Sequence, residues 1–314
     1  MPNMRTDAQV IAIACADLHL CSKPPTARSS EPCWWEAMRR PLRELRQLQD
    51  EYDVPVLCAG DVFDKWNASA ELINFAMQEL PTNMVAIAGQ HDLPFHGLNN
   101  IHRSGLGVLI QSERVEFLRS IAVYSEFSKQ RNGFAVTGFS WGQEITSPEL
   151  TSASLNIALI HAYCWKKGSS FPGADLNHVA SFKEQLKGYD IAIFGDNHLP
   201  FEAKAGDCLV FNCGGFMRRK SDEIKHRPSC GLIYSDGSIK RHYFDTSEES
   251  MLSTTVESPA SLDDDTIREF AKSLVALDCD PMDFEAQLNA VANAEEDLLV
   301  QHELRGLIDG HFRQ

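Results

Sequence analysis

Val54-Pro55-Val56-Leu57-Cys58-Ala59-Gly60-Asp61-Val62-Phe63-Asp64 is an apolar run that breaks into a glycine and two acids. Its first six residues show no polar alternation, which predicts a strand buried on both faces of a parallel or mixed sheet. Pro55 fits at the start of such a strand, where a missing N–H is tolerated. Gly60 allows a sharp turn, and Asp61 then emerges just beyond the carboxyl end of the strand, where open α/β sheets hold their ligands. An acid in that place also caps helices, so Asp61 gains weight only from the rest of the chain.

Four other apolar segments end in the same way. Val10–Cys15 runs into Asp17-Leu18-His19, and Met84–Ala88 into Gly89-Gln90-His91-Asp92. Leu155–Ile160 closes on His161, and Ile191–Phe194 on Gly195-Asp196-Asn197-His198. In extended chain, residues two apart point to one side, so Asp17 and His19 can reach a single ion. Taken singly, each cluster has an ordinary explanation: a capping Asp beside a surface His, or a strand-end His satisfied in the core. Between the strands, Trp35, Met38, Leu42, Leu45 and Leu48 recur at helical spacing, and Ala70–Leu80 reads as a second covering helix. Strands alternating with helices predict parallel pairing, which brings Asp17, His19, Asp61 and Gln90 to one edge of the sheet.

Farther along, Ser104–Gln111 and Asn177–Leu186 read as helices, and Ile121–Tyr124 and Phe134–Phe139 as strands. Gly206-Asp207 and Asp236-Gly237 lie between short apolar runs and predict hairpins. The fold class expected is α/β, two packed mixed sheets flanked by helices, with residues 1–250 as the main domain. Residues 251–314 form an acidic region with short helices carrying Phe270, Leu274, Phe284, Leu288, Leu298 and Leu299.

Of the net charge of −15 on 314 residues, that last region holds −10, from 14 acidic against 4 basic side chains. Residues 1–250 therefore carry only −5, and a local basic patch can still dominate one face. Nine cysteines without a Cys-x-x-Cys pair indicate reduced thiols and a cytoplasmic setting rather than a disulfide framework or zinc knuckle. No stretch approaches the roughly 18 apolar residues of a membrane helix, so no membrane association is expected.

The ordered set Asp17-x-His19, Gly60-Asp61-x-x-Asp64, Gly89-Gln90-His91-Asp92, His161 and Gly195-Asp196-Asn197-His198 resembles the calcineurin-like metallophosphoesterases. Within them it is most similar to the SbcD-like DNA repair nucleases and their phage-type relatives, over roughly residues 9 to 245. The resemblance implies a four-layer α/β/β/α sandwich and two divalent metal ions, Mn²⁺ first, with Mg²⁺, Fe²⁺ and Zn²⁺ as alternatives. Asp17, His19, Asp61 and His198 would hold one ion; Asp61, Gln90, His161 and Asp196 the other. Gln90 replaces the usual Asn and Asp196 the usual His, which hardens the second site toward oxygen-preferring ions. His91 would act as general acid or charge stabiliser, with Asp92 orienting it and Asp64 supporting Asp61 or its neighbours.

Such residues suit phosphodiester hydrolysis, because an anionic diester repels hydroxide and two cations offset that repulsion. The loop Asn212-Cys213-Gly214-Gly215-Phe216 resembles the glycine-containing loop beside the metals in this branch. It is followed by Arg218, Arg219 and Lys220, then Lys225, His226 and Arg227. Asn212, Gly214, Arg218, Arg219 and Lys220 are the expected substrate-binding residues, and a basic run beside a phosphate site favours nucleic acid, here DNA. The branch also brings an SMC-like ATPase partner and homodimerisation as expectations. A small-molecule phosphatase or cyclic-nucleotide phosphodiesterase, and a non-catalytic metal-binding scaffold, are the rival readings.

Overall fold

The computed structural model describes residues 8–119, 121–124, 133–148, 153–166 and 175–252. The expected helical region over 251–314 lies outside them apart from Met251 and Leu252. Among the described residues, twelve strands form two six-stranded sheets. In the first, β1 (Val10–Cys15), β2 (Val56–Cys58), β3 (Met84–Ala86) and β4 (Glu116–Phe117) are parallel neighbours. The second has β5 (Ile121–Tyr124) at one edge, antiparallel to β6 (Phe134–Phe139). It continues in parallel through β7 (Leu155–His161), β8 (Ile191–Gly195) and β10 (Cys208–Asn212), and ends on the antiparallel β9 (Phe201–Ala205). The antiparallel pair β11 (Ser229–Tyr234) and β12 (Ile239–Tyr243) completes the first sheet beside β1.

Burial on both faces explains the missing polar alternation. Ala12, Ala14, Leu57, Val85 and Ile87 of the first sheet pack with Ile157, Leu159, Ile191, Ile193 and Phe211 of the second. The other face, with Ile13, Cys15, Val56, Cys58 and Ala86, lies under helices α1 (Trp34–Tyr52), α2 (Ala70–Glu79) and α3 (Gly105–Gln111). Met38, Leu42 and Leu45 of α1 are wholly buried there, as their spacing requires, and Ser69 caps α2 by accepting the Leu72 N–H.

The outer face of the second sheet departs from expectation. Val179, Phe182, Leu186 and Tyr189 cover Ala158, Ile160, Ala192 and Phe194, yet Asn177–Leu186 is not an α-helix. It is built from the 3-10 helices Asp175–Asn177 and Val179–Phe182 followed by turns. The Asn177 carbonyl accepts from Trp165 N, Val179 N donates to the Trp165 carbonyl, and the His178 imidazole takes the Ala180 N–H. These bonds remove the groups that would start an α-helical ladder. The expected helix over Asn177–Leu186 is thus realised as two 3-10 turns, one beginning at Asp175, and not as an α-helix.

Candidate metal centre

The strand ends meet through backbone bonds. Asp17 N donates to Gly60 O at 3.0 Å, His19 N to Asp61 O at 2.9 Å, and Leu20 N to Val62 O at 3.0 Å. Asp17, His19, Asp61 and Asp196 all sit at positive φ, between 45° and 86°. Left-handed backbone costs a non-glycine residue roughly 1–2 kcal/mol, and it persists where the surroundings over-determine it. Asp17 and His19 are therefore not on extended chain as expected; two left-handed turns, not the strand period, bring their side chains together.

Two glycines set how closely the loops approach. A Cβ on Gly89 would lie 2.0 Å from Asp61 Oδ1, and one on Gly60, at φ +89°, would lie 2.4 Å from His161 Nδ1.

Four imidazoles surround the carboxylates, each with Nδ1 turned outward to an oxygen. His161 Nδ1 donates to the Ala59 carbonyl at 2.6 Å, and His91 Nδ1 to the Asp64 carbonyl at 2.7 Å. His19 Nδ1 faces Asp64 Oδ1 at 3.6 Å, and His198 Nδ1 faces Glu223 Oε1 at 3.8 Å. Nε2 consequently points inward on His19, His161 and His198. His19 and His198 bring their Nε2 atoms within 3.1 Å of each other, and Asp61 Oδ2 lies 3.7 Å from His19 Nε2 and 3.4 Å from His161 Nε2. The outer nitrogen of His161 is bonded to an oxygen, as metal-binding histidines are held, whereas His19 Nδ1 is buried without a hydrogen bond.

The donor set fits divalent metal. Asp61 Oδ2 is buried with no hydrogen-bond partner, while Oδ1 accepts from His91 N at 2.9 Å. A carboxylate oxygen left bare between two imidazole nitrogens is where a bridging ligand atom belongs. The atoms of Asp17, His19 and His198 lie within 4.8 Å of one another, as do those of Asp17, Asp61 and His161. A third group joins His19, Asp64 and His91, so Asp17 belongs to two of three clusters, where it was expected at one ion. Asp196 belongs to none of the three: its Oδ1 accepts from Gln90 Nε2 at 2.6 Å, leaving Gln90 Oε1 to face His161 Nε2, also at 2.6 Å. The two departures from the family pattern therefore touch each other, Asp196 fixing which end of the Gln90 amide points inward.

Charges follow from this crowding. Burial pushes Asp17 up to about 6 against the pull of His161 and His198. Burial also opposes the charged form of Asp61, but His161, His19 and His91 outweigh it and hold Asp61 at about 2. For His161, burial favours the neutral ring; Asp61, Asp17 and the Ala59 carbonyl overcome it and raise the imidazole to about 10. Both ring nitrogens of His161 face acceptors, as the charged form requires. Metal-free, this histidine carries a proton where the ion would sit.

Several expected roles are corrected. Asp92 does not touch His91; it is buried, accepts from Val62 N, Phe63 N and Gly89 N, and ties the Asp61 loop to the Gln90 loop. Burial and the Asp61 charge push it up to about 7. Asp64, not Asp92, holds His91, through its backbone carbonyl, while its carboxylate pairs with Arg219 at 2.6 Å. Asn212 is fully buried and accepts from Gly214 N, so it shapes the loop instead of meeting substrate. Gly214 is also buried, its backbone against His198 and Pro200. Arg218 is spent on Glu249 at 2.6 Å and on the Ile224 carbonyl.

Of the three basic residues expected to meet substrate, only Lys220 lines the main cleft, which has a volume of about 750 Å³. This cleft is lined by Gln90, His91, Asp196 and His198 of the centre and by Lys220, Asp222, Glu223, Lys225, Arg227 and Tyr243. Glu223, which sequence reasoning missed, closes one side: its Oε2 accepts from Arg219 N and Lys220 N, and its Oε1 orients His198. Burial would raise Glu223, but His198 and the two N–H groups bring it down to about 2. Nothing local in the sequence marks it, since its partner lies 25 positions away.

The family signature of calcineurin-like phosphoesterases matches residues 12–200. No curated protein matches the chain. Among solved structures, an archaeal phosphodiesterase is 13% identical, with a TM-score of 0.38 over 74% of this chain and 99% of its own. A putative 5'-nucleotidase from Staphylococcus aureus is 13% identical at a TM-score of 0.45, covering 84% of this chain and 58% of that one. The calcineurin-like phosphoesterase YfkN from Bacillus subtilis is 14% identical at 0.44, covering 75% and 89%.

Proposed function

From the premise that the chain belongs to the calcineurin-like phosphoesterase family, whose members hydrolyse phosphoesters with divalent metal ions, we propose that this protein is a two-metal phosphodiesterase acting on a nucleic-acid strand. The observation that carries the substrate class is the cleft, which is open to solvent and not a closed pocket, and which sets Lys220, Lys225 and Arg227 on the same walls as His91. Asp196, Asp222 and Glu223 also line it, Glu223 being engaged by the Arg219 and Lys220 N–H groups, and the Arg227 guanidinium stacks on the Tyr243 ring at 3.8 Å. Basic side chains beside an aromatic face suit a phosphate backbone.

The residues divide the work. Asp17, His19, Asp61 and His198 form one side of the centre, and Asp61, Asp17, His161 and Gln90 the other, an oxygen and nitrogen set without sulfur that suits Mn²⁺. Bound there, the ions supply charge neutralisation at the phosphate and activation of water. His91 keeps its Nδ1 proton on the Asp64 carbonyl, so Nε2 is the nitrogen free to carry a proton to the leaving oxygen. Lys220, Lys225 and Arg227 hold flanking phosphates.

Replacing Lys220, Lys225 and Arg227 with Ala tests the assignment. Cleavage of an oligonucleotide falls far more than that of bis-p-nitrophenyl phosphate, and the slope of log affinity against log salt flattens by about 0.7 to 0.9 for each phosphate no longer neutralised. Equal losses on both substrates would point to a small-molecule diesterase and overturn the nucleic-acid reading.

A further inference from the structure

Beside the cleft lies an aromatic surface that hydrolysis does not require. Phe95 is 76% exposed and Trp141 37% exposed, unusual for large rings on loops that also bear a metal centre. Phe95 and His96 are consecutive left-handed residues, at φ 54° and 55°. For a bulky side chain this is a backbone outlier, fixed here by His96 N donating to Leu93 O and Gly97 N to Pro94 O. The fold thus holds the Phe95 ring in water at a cost in backbone energy, when a right-handed turn would be easier. Strain of this kind collects where a side chain must be presented.

The surroundings are chosen to match. Trp66 lies 6.3 Å from Phe95 between ring centroids, Arg103 lies over the Phe95 ring at 5.8 Å, and His96 lies 5.4 Å from Trp141. Trp66 and Phe95 ride on the loops that carry the centre, and Trp141, which follows β6, joins them by donating its N–H to the Ala88 carbonyl. Trp66 is two residues beyond Asp64, which holds His91, and Phe95 is four residues beyond His91. Four residues span at most about 14 Å, within about four stacked nucleotides at 3.4 Å each. Gln90 and His91 line the cleft while Phe95 and Trp141 do not, so the rings lie outside the cleft that holds Lys220, Lys225 and Arg227.

We propose that Phe95, with Trp66, His96 and Trp141 around it, is a stacking platform for unpaired bases next to the scissile phosphate, making the protein selective for single-stranded nucleic acid. This rests on the nucleic-acid reading above. A duplex keeps its bases stacked on each other and offers the platform nothing. A single strand lays a base on Phe95, and the positive charge of Arg103 strengthens the stack through the ring face and the neighbouring phosphate.

The test uses the manganese-loaded full chain and single-stranded oligonucleotides carrying one abasic position, moved stepwise away from the cleavage site. Phe95→Ala lowers kcat/KM on the intact strand by about 5- to 150-fold, the range for removing one base stack, relative to its effect on bis-p-nitrophenyl phosphate. Phe95→Tyr retains most of the activity. In the wild type, an abasic position at one particular step reproduces the loss, and combining it with Phe95→Ala adds nothing further. Trp141→Ala, read in the same way, guards against a local collapse around Phe95. If the abasic and Phe95→Ala losses multiply, or Phe95→Ala falls equally on both substrates, no base stacks there. If Phe95→Ala has no effect on a strand the wild type cleaves, the rings serve a protein partner instead and the proposal is overturned. A wild-type protein that hydrolyses the small diester but no oligonucleotide would sink the nucleic-acid reading itself, and the platform with it.

Discussion

Gly89→Ala is the sharpest probe of the centre, because one methyl group is aimed at the Asp61 carboxylate. The added Cβ would sit 2.0 Å from Asp61 Oδ1, 2.5 Å from its Cγ and 2.6 Å from its backbone N. Non-bonded heavy atoms rest near 3.5 Å, so the shortest of these approaches falls about 1.5 Å short. Backbone relief is blocked, since Asp92 clamps Gly89 N together with Val62 N and Phe63 N, and the carboxylate must swing. Its bond from His91 N is then broken, and Oδ2 leaves its position between His19 and His161. Overpacking of this size costs about 1–3 kcal/mol of stability, and a displacement near 1 Å at a reacting centre costs on the order of 100-fold in rate. Gly142→Ala is the control: Gly142 is at φ +80° with open space around it, so alanine there meets only backbone strain of about 1 kcal/mol. Metal content by elemental analysis, kcat/KM on bis-p-nitrophenyl phosphate and thermal melting are compared for the two variants. Gly89→Ala is expected to lose metal and activity, and Gly142→Ala only some melting temperature. A Gly89→Ala protein with full metal content and wild-type turnover would refute the bridging role of Asp61.

Other perturbations separate the roles within the centre. Asp61→Ala should lose metal altogether, whereas His91→Ala should keep it and lose about 10²–10⁴-fold in kcat, the usual worth of a general acid; an active Asp61→Ala protein would end the two-metal assignment. His161, raised to about 10, is protonated at pH 8 in metal-free protein and must lose that proton to bind an ion, so calorimetry in buffers of different ionisation heat should show proton release that falls by one in His161→Asn. Because the folded value lies above the unfolded one, its contribution to metal-free stability is complete below about pH 6.5 and is lost as pH rises through 10, and a melting temperature indifferent to pH over that window would contradict it. Arg28 is fully buried, pairs with Glu31 and Glu249 and donates to the Arg218 carbonyl, so Arg28→Met should cost about 3–5 kcal/mol in urea unfolding; a cost below about 1 kcal/mol would mean the two acids find other partners.

The sequence by itself determined most of the strands and which polar residues follow them. Buried strands write themselves as apolar runs without alternation, and a residue that follows a strand directly, as Asp61 follows Ala59-Gly60, is placed by the strand that precedes it. Both are local relations, so the places of Asp17, His19, Gln90, His161 and His198 after their strands were legible before any pairing was known. What only the tertiary structure decided is which partner each group meets. Asp92 turned to three backbone N–H groups and not to His91, Arg218 to Glu249 and not to substrate, and Asp196 to Gln90. Glu223 found His198, and the 3-10 turns after Asp175 took the place of a helix because Trp165, ten positions earlier, claimed the Asn177 carbonyl. Hydrogen bonds and ion pairs are short-ranged and are settled among whichever groups the packed sheets bring within about 3 Å, and sequence spacing carries no information about that competition.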